Sequence, residues 1–427
     1  MTLLRALSTF GAVLNSYLPV NTVLSYLSTP RYRPGISPSQ ASCRRLWPTV
    51  LGLWAGVWTA CQPQAPELAP GVVHHQIYLS EGPWSVHAIE IDLAKSRQAG
   101  VRLRTTKADS IEGGLAKTSV LAARAIAGIN GDFCQIFTDD PGRTAGLQIR
   151  NGKLLQMPQR QTAFAMGVDG APLIAVFQFQ AGLITAADEV LPIAGFNHRA
   201  VAEGLTLYNY YGQMRVDSVY AALGLQLQSL SSAAAVNDTI EARVLQIRRR
   251  GWPLRLTRGQ WVVAIGDNYD KSVRIAPGDT VRLYCNLPPA EGALIEAIGG
   301  GPRIVRDGIV SIEYAEEHLD ESFATERHPR SAIGYSRDRE TLFLVAVDGR
   351  QSGYSVGMSL AELAQFMRYR LAEYSVAKTN VYQALNLDGG GSTTMVVRGK
   401  VVNRPSDPTG ERFVANALLV VDETGGK

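Results

Sequence analysis

The segment spanning residues 341–388 constrains the fold of this chain more than any other part of it. Residues 341–347, TLFLVAV, form a nearly all-apolar run, which is typical of a strand buried on both faces. Ser359 and Glu362 then match a capping box, and apolar residues follow at helical spacing. Residues 381–387 lose that spacing and favour a second strand. The order strand, capped helix, strand predicts a parallel βαβ unit with a right-handed crossover.

Two carboxylates directly follow these two predicted strands. Asp348 comes after the first and Asp388 after the second. Because parallel strands end at the same edge of a sheet, both side chains are expected at the edge where ligand sites form. Short turns between apolar runs also predict three hairpins, at Asn151-Gly152, Asp307-Gly308 and Arg398-Gly399.

These signals together predict a fold of the α+β or mixed α/β class. Its core would be a mixed β-sheet that contains the βαβ unit and several β-hairpins, with helices packed on the sheet. The 427 residues, 46% of them hydrophobic and 19% charged, suffice for one large or two ordinary domains.

Charge and cysteine usage exclude some partners. The net charge is only +4, and basic residues are interspersed with acidic ones, so no nucleic-acid partner is expected. The four cysteines form no CxxC pair, which argues against a structural zinc site. Cys134 and Cys285 could pair in an oxidising compartment, and the sequence leaves that open.

The first 61 residues are interpreted as a leader. Arg44-Arg45 precedes the apolar stretch 46–58, and Thr59-Ala60 stands directly before Cys61. Such a pattern is typical of a secretory signal, and it is short for a membrane span, which needs about 20 residues. Its end resembles the lipobox of bacterial lipoproteins, in which the cysteine is acylated. A signal cleaved without lipidation, an uncleaved anchor and a buried helix remain alternatives.

This leader predicts where the protein resides and how it is organised. We expect an exported protein tethered to the membrane of the bacterial cell envelope through lipid on Cys61. Residues 62–71 contain three prolines, which disfavour helix and sheet and indicate an extended linker. The remaining chain, 72–425, is expected to form the functional domain.

A glycine run after the second carboxylate is the sharpest motif. Gly389, Gly390 and Gly391 would let the backbone approach a ligand and point amides at an anion. Ser392 and Thr393 add hydroxyl donors. The alternative is a glycine-rich turn with Asp388 as a turn-forming residue.

Basic residues accompany the first carboxylate. Arg350 lies two positions after Asp348 and offers a bidentate fork to phosphate or carboxylate. His328 and Arg330 flank Pro329, which would hold them rigidly at the mouth of a strand. We predict Arg330 as an anion clamp and His328 as an acid or ligand, against the alternative of a solvent-exposed histidine.

An earlier segment, Ile-Asn-Gly-Asp-Phe at residues 129–133, places Asn130 and Asp132 at the end of another apolar run. Turn chemistry alone could explain it. However, this segment is the first of several motifs that occur along the chain in the same order as in a known family. The later motifs are GGGPR at 299–303, HPRS at 328–331, VDGRQ at 347–351, SVGMSLAEL at 355–363, LNLDGGGST at 385–393 and the segment 403–412.

Taken together, these motifs resemble the phosphodiester glycosidase family over roughly residues 72–421. The resemblance implies a hydrolase that cleaves the glycosidic bond of a sugar-1-phosphodiester, here in an envelope glycan or exopolysaccharide. It implies catalysis by Asp388, Asp348 and His328. Phosphate and sugar would be bound by Arg330, Arg350, Gly389, Gly390, Gly391, Ser392, Thr393, Asn130, Asp132 and Arg412. Cys134, where an aromatic residue often follows Phe133, departs from the family pattern, as do residues 213–245.

The implied chemistry suits these residue types. The departing phosphate monoester is a good leaving group, so strong protonation of its oxygen is less needed than in ordinary glycosides. The site must instead stabilise phosphate charge and place a carboxylate at the anomeric carbon. A divalent metal that bridges the carboxylates is compatible with the sequence and is left open. The alternatives are an envelope-polymer phosphodiesterase or transferase that breaks a P–O bond, and a non-catalytic carbohydrate-binding surface lipoprotein.

Overall fold

The computed structural model describes residues 66–108, 114–136, 141–159, 161–211, 221–230, 236–249, 256–269 and 273–424. The predicted leader and Cys61 lie outside these residues. No helix within the described ranges is long and apolar enough to cross a membrane.

Strands account for most of the regular structure. In the first third of the chain they are β1 Glu67–Ala69, β2 Val72–Leu79, β3 Trp84–Asp92, β4 Val101–Lys107, β5 Ala116–Lys117, β6 Ala127–Asn130, β7 Gln148–Arg150, β8 Lys153–Gln156, β9 Thr162–Gly167 and β10 Pro172–Val176. In the middle they are β11 Gln180–Ile184, β12 Val190–Phe196, β13 Leu205–Asn209, β14 Ala221–Ser229, β15 Thr239–Arg249, β16 Gln260–Gly266, β17 Thr280–Asn286 and β18 Leu294–Gly299. The last are β19 Arg303–Arg306, β20 Ile309–Val310, β21 Arg330–Ser336, β22 Thr341–Val347, β23 Val381–Asn386, β24 Met395–Val397, β25 Lys400–Val401, β26 Phe413–Val414 and β27 Asn416–Asp422.

Helices are short and few among the described residues. They are α1 Leu93–Gln98, α2 Thr118–Leu121, α3 Glu321–Thr325, α4 Leu360–Gln365 and α5 Leu371–Tyr374, with a π-helical turn Phe366–Arg370 between the last two and a 3-10 turn at Gly390–Ser392.

The predicted fold class is wrong, because the protein is mainly β. The largest sheet has the order β1-β2-β3-β22-β21-β23-β19-β20, and all of its neighbouring strands are antiparallel. The strands β22 and β23 do run parallel to each other, yet β21 lies between them and pairs antiparallel with both. The unit is therefore not a hydrogen-bonded βαβ pair. A directly paired βαβ unit would require β22 and β23 to be neighbours in the sheet, with β21 at another position.

The seven strands β11-β12-β13-β16-β14-β15-β17 close into a barrel that the sequence reasoning did not foresee. One of its pairs, β12 with β13, is parallel. Its interior belongs to a hydrophobic core that includes Leu183, Leu205, Leu227 and Val263, each at most 1% exposed. Part of the stretch 213–245, which departed from the family pattern, forms barrel strands.

Two five-stranded sheets have the orders β25-β24-β6-β27-β4 and β10-β9-β18-β7-β8, and β5 and β26 form a two-stranded sheet. A second hydrophobic core joins residues of both five-stranded sheets to one face of the eight-stranded sheet, including Ile89, Ile333, Ile129 and Ile298. The opposite face of the large sheet packs against the helical segment 360–374 through Leu360, Leu363 and Met367.

The predictions of local structure were more accurate than the prediction of the fold class. The Ser359 hydroxyl accepts from the Glu362 amide and the Glu362 carboxylate accepts from the Ser359 amide, which confirms the capping box. All three hairpins form, and both turn residues of each have positive φ, as at Asn151 (50°) and Gly152 (74°). The linker assigned to 62–71 is partly wrong, since residues 67–69 pair with β2.

Candidate active site

Four chain segments meet at one edge of the large sheet. Asp348 follows β22, Asp388 follows β23, and Arg330 opens β21, opposite Val347. The amide nitrogen Nδ2 of Asn130, at the end of β6, donates to the Asp388 carbonyl at 2.6 Å. The structure thus gathers carboxylates and basic residues from segments far apart in the sequence.

Asp388 is half-buried, so it keeps contact with solvent. Burial raises the pKa of its carboxyl group to about 6, against the opposing effects of hydrogen bonds from Ser392 and the Gly389 amide and of the positive charge of Arg412. Such a group is charged at neutral pH and still basic enough to act as a nucleophile or general base.

Asp132 is a second carboxyl group beside Asp388, and it is only 1% exposed. Its Oδ2 accepts from the Gly146 amide at 2.7 Å, whereas its Oδ1 is buried and has no hydrogen-bond partner in the described part of the chain. Burial, assisted by the negative charge of Asp388, raises the pKa of Asp132 to about 8. A β-carbon on Gly299 would lie 2.4 Å from Oδ2, so this strand end must be glycine for the carboxyl to fit.

Asp348, which was predicted to be catalytic, is fully buried. Its carboxylate accepts hydrogen bonds from neighbouring groups of the protein. Oδ1 accepts from Asn403 Nδ2 at 3.0 Å and from the Arg404 amide at 2.8 Å, and Oδ2 accepts from the Tyr354 hydroxyl at 3.0 Å. Burial raises its pKa, and these hydrogen bonds oppose the rise. These hydrogen bonds connect Asp348 to the segments that carry Tyr354, Asn403 and Arg404, which suits a structural role between loops.

Arg330 does not present its guanidinium as an open clamp, because it is 1% exposed. Nε donates to the Met358 carbonyl at 2.9 Å, and Nη2 donates to the carbonyls of Phe323 and Glu326 at 2.8 Å. The guanidinium also lies over the Phe323 ring at 5.1 Å. Burial lowers its pKa to about 10, so it remains charged at neutral pH. These contacts fix the loops on both sides of the strand mouth.

Arg350 and His328 form the exposed basic rim of the site. Nη2 of Arg350 lies 3.2 Å from Nδ1 of His328, whose Nε2 lies 3.2 Å from a carboxylate oxygen of Glu326. Burial and then the charges of Arg330 and Arg350 lower the pKa of His328. A largely neutral imidazole at pH 7 can accept from one N–H of Arg350, whose side chain is exposed to solvent.

The glycine run does not form the predicted open row of amides. The Gly390 amide donates to the Pro329 carbonyl at 2.9 Å, and the Gly389 amide donates to the Asp388 carboxylate. Thr393 is 1% exposed, with its hydroxyl buried and unpartnered. The run is explained by close packing instead: a β-carbon on Gly391 would lie 2.2 Å from Asp407.

Asn130 is likewise committed to the framework, although it was predicted to bind substrate. Its Oδ1 accepts from the Ser331 hydroxyl at 2.7 Å and from the Thr394 amide at 3.1 Å. Asn130 thus forms hydrogen bonds with three other segments, those that carry Ser331, Asp388 and Thr394.

Arg412 forms a bidentate ion pair with Asp407, with 3.0 Å from Nε to Oδ2 and 3.2 Å from Nη2 to Oδ1. The sequence analysis included Asn403 and Asp407 in the family-like segment 403–412 without giving either of them a role. It did not single out Tyr354.

Cys134 also lies at this site, where burial and then the charge of Asp388 raise the pKa of its thiol to about 11. It does not pair with Cys285, which is free in barrel strand β17. Over the described ranges, no group of three or more His, Cys, Asp or Glu side chains is arranged to hold a metal ion.

Comparison with known proteins shows which family part of this chain is similar to. Residues 234–421 match the family model for phosphodiester glycosidase. The resemblance to phosphodiester glycosidases is confirmed. The human and mouse proteins named N-acetylglucosamine-1-phosphodiester alpha-N-acetylglucosaminidase are 30% identical over 241 residues and 27% identical over 240 residues.

These alignments cover 50% of this chain and 44% and 43% of the human and mouse proteins, so the chain spans less than half the length of those relatives. A hypothetical protein from Synechocystis, of solved structure, is 22% identical, with a TM-score of 0.61 over 82% of this chain and 61% of that chain. The two proteins share the fold over that region.

Proposed function

We propose that this protein hydrolyses the glycosidic bond of a sugar-1-phosphodiester. The observation that carries the proposal is the pair of neighbouring carboxyl groups whose pKa values are driven apart, to about 6 at Asp388 and about 8 at Asp132. At neutral pH the first is mainly a carboxylate and the second mainly a neutral acid. Glycosidases divide their chemistry between two such groups.

Asp388 is the group placed to act at the anomeric carbon. Its carboxylate either attacks that carbon directly or takes a proton from a water molecule that attacks it. The bond between the anomeric carbon and the phosphate oxygen breaks, and its electron pair leaves with the phosphate monoester. If a glycosyl–Asp388 ester forms, water hydrolyses it, regenerating the carboxylate and releasing the sugar.

Asp132 contributes as the neutral acid. Its Oδ1, which is buried and has no hydrogen-bond partner among the described residues, can hold the proton, so that a neutral acid lies beside the charged Asp388. A phosphate leaving group needs little protonation, so this contribution is smaller than in an ordinary glycosidase.

Phosphate binding is assigned to the exposed rim. Arg350 keeps guanidinium N–H groups available beside His328, and a bidentate fork suits a phosphodiester. Arg330 and Asp348, which bond to backbone and neighbouring side chains, are positioning residues in this proposal.

We further propose that the protein is exported and anchored through acylated Cys61, so that its substrate is a glycan of the cell envelope. Support comes from Arg44-Arg45, the apolar run and Thr59-Ala60 before the cysteine. Mass spectrometry should find a mature N-terminus at Cys61 carrying lipid. An intact N-terminus upstream would refute the anchor while leaving the chemistry untouched.

The activity is tested by incubating the protein with alpha-linked sugar-1-phosphodiesters, beginning with that of N-acetylglucosamine, which the names of the relatives specify. Release of free sugar and a phosphate monoester is expected for at least one member of the panel. Binding without release from any member would favour the non-catalytic alternative and overturn the proposal.

A further inference from the structure

We propose that the barrel carries a second site, which binds an acidic sugar without cleaving it. The site is a cleft of about 520 Å3, counting the part open to solvent. Its lining residues are Lys153, Leu154, Asn209, Tyr210, Tyr211, Ser229, Arg258, Gly259, Gln260 and Trp261. None of them belongs to the candidate active site, and the cleft is open to solvent on one side, where a sugar can approach it.

Two buried amide side chains fix the backbone beneath this cleft. Asn209 and Asn197, 5% and 3% exposed, bond to each other at 2.9 Å. Asn209 also donates to the Leu154 carbonyl at 2.8 Å and accepts from the Tyr211 amide at 3.0 Å. The hairpin β7–β8 is thereby locked onto the barrel, and the two tyrosines start from a fixed backbone, so the site is preorganised.

Aromatic rings give the cleft an apolar platform. Tyr210 and Tyr211 are in edge-to-face contact, with ring centroids 5.5 Å apart, and Trp261 lies across the strand pair from Asn209. All three rings are half-buried. The C–H faces of a pyranose ring are apolar and pack on such rings, while the phenol and indole groups can hydrogen-bond its hydroxyls.

The charge of the cleft selects an acidic sugar over a neutral one. The guanidinium of Arg258 lies 6.0 Å from the Tyr210 ring centroid, which holds the cation over the aromatic wall. Lys153 is a second exposed cation in the lining, and no Asp or Glu is among the described lining residues. Within the described part of the chain, neither cation has an ion-pair partner. A carboxylate or phosphate on the sugar would supply one.

The proposal does not require the hydrolysis proposed above, because the cleft and the carboxyl pair share no residue. It assigns the barrel a role in holding an anionic glycan while the Asp388 site, elsewhere on the domain, acts on a linkage.

Isothermal titration of the full chain with hexagalacturonate, compared with maltohexaose, tests this site. We expect hexagalacturonate to bind and maltohexaose to bind at least about tenfold more weakly, since a charge-assisted hydrogen bond contributes that much or more. Arg258→Gln should weaken hexagalacturonate binding by about tenfold or more, and Tyr210→Leu should weaken both sugars. The matched control is Arg274→Gln, an exposed arginine of the same barrel outside the cleft lining, which should bind like the unmodified protein.

Hydrolysis of a small sugar-1-phosphodiester should be unchanged in Arg258→Gln, which separates this inference from the proposed function. The inference is overturned if hexagalacturonate does not bind, if both sugars bind equally, or if Arg258→Gln and Arg274→Gln behave alike. Failure of the unmodified protein to hydrolyse any phosphodiester would overturn the proposed function and leave the binding result standing.

Discussion

Asp132 and Asp388 are neighbouring carboxyl groups in different environments. Asp132 is 1% exposed, and one of its oxygens has no hydrogen-bond partner among the residues that the structure describes. Asp388 is half-buried, and the positive charge of Arg412 acts on it. The negative charge of Asp388 adds to the effect of burial on Asp132. The two groups therefore titrate as a coupled pair, and their apparent pKa values belong to the pair.

The pH dependence of kcat/KM should be bell-shaped. The acidic limb reports ionisation of the group near pKa 6, and the alkaline limb reports loss of the proton from the group near pKa 8. Activity should therefore peak near pH 7. A rate that keeps rising past pH 9 would show that no neutral acid is required.

Asp132→Asn should change how stability depends on pH. The pKa of Asp132 is raised on folding, so the folded state binds the proton more tightly, and its stabilising effect is complete below about pH 4. Stability is then lost as pH rises towards 8. The amide stays neutral, so the variant should lack this loss and exceed the unmodified protein at pH 9 by at least about 1 kcal/mol. Urea unfolding at pH 5 and pH 9 measures it, and parallel losses in both proteins would contradict the assignment.

Asp348→Asn should destabilise the fold. The amide nitrogen would replace Oδ2, the atom that accepts from the Tyr354 hydroxyl, and the loss of charge would weaken the two hydrogen bonds that Asn403 and Arg404 donate to Oδ1. The expected cost is about 1–3 kcal/mol in the free energy of unfolding. Asp238→Asn, at an exposed aspartate of the barrel, is the matched control and should cost almost nothing. Equal stability of the two variants would remove Asp348 from its positioning role.

Asp388→Asn should fold normally and lose activity. Its side chain is half-buried, and an amide preserves its size and much of its hydrogen bonding. It cannot serve as nucleophile or base, so kcat should fall by about 10²–10⁴-fold or more. Circular dichroism establishes the fold and product release gives the rate. Near-normal turnover would show that Asp388 is not required for catalysis, and Asp132 or His328 would then be the candidate for its role.

Local features of the fold were predictable because their causes are local. The capping box at Ser359 and the three hairpin turns depend on residues within a few positions of each other. The placement of β21 between β22 and β23 depends on pairing choices among distant segments, which alternation alone does not encode. The barrel was missed for the same reason.

The site was predictable as a set of residues more than as a set of roles. The motifs singled out Asp388, Arg350 and Arg330, which follow or open strands of the large sheet, and Asp132, which follows β6 of a neighbouring sheet. Sequence cannot show which carboxyl group is buried or already hydrogen-bonded. Asp348 illustrates this, since Asn403 and Arg404 occupy its carboxylate from more than 50 residues away.

We propose that the protein breaks the bond between the anomeric carbon and the phosphate oxygen at the Asp388 site. Hydrolysis of a sugar-1-phosphodiester in heavy-oxygen water, with the products analysed by mass spectrometry, shows which bond is broken. Attack at the anomeric carbon predicts that the label enters the sugar and that the phosphate monoester stays unlabelled. Label in the phosphate would show P–O cleavage and contradict the glycosidase account.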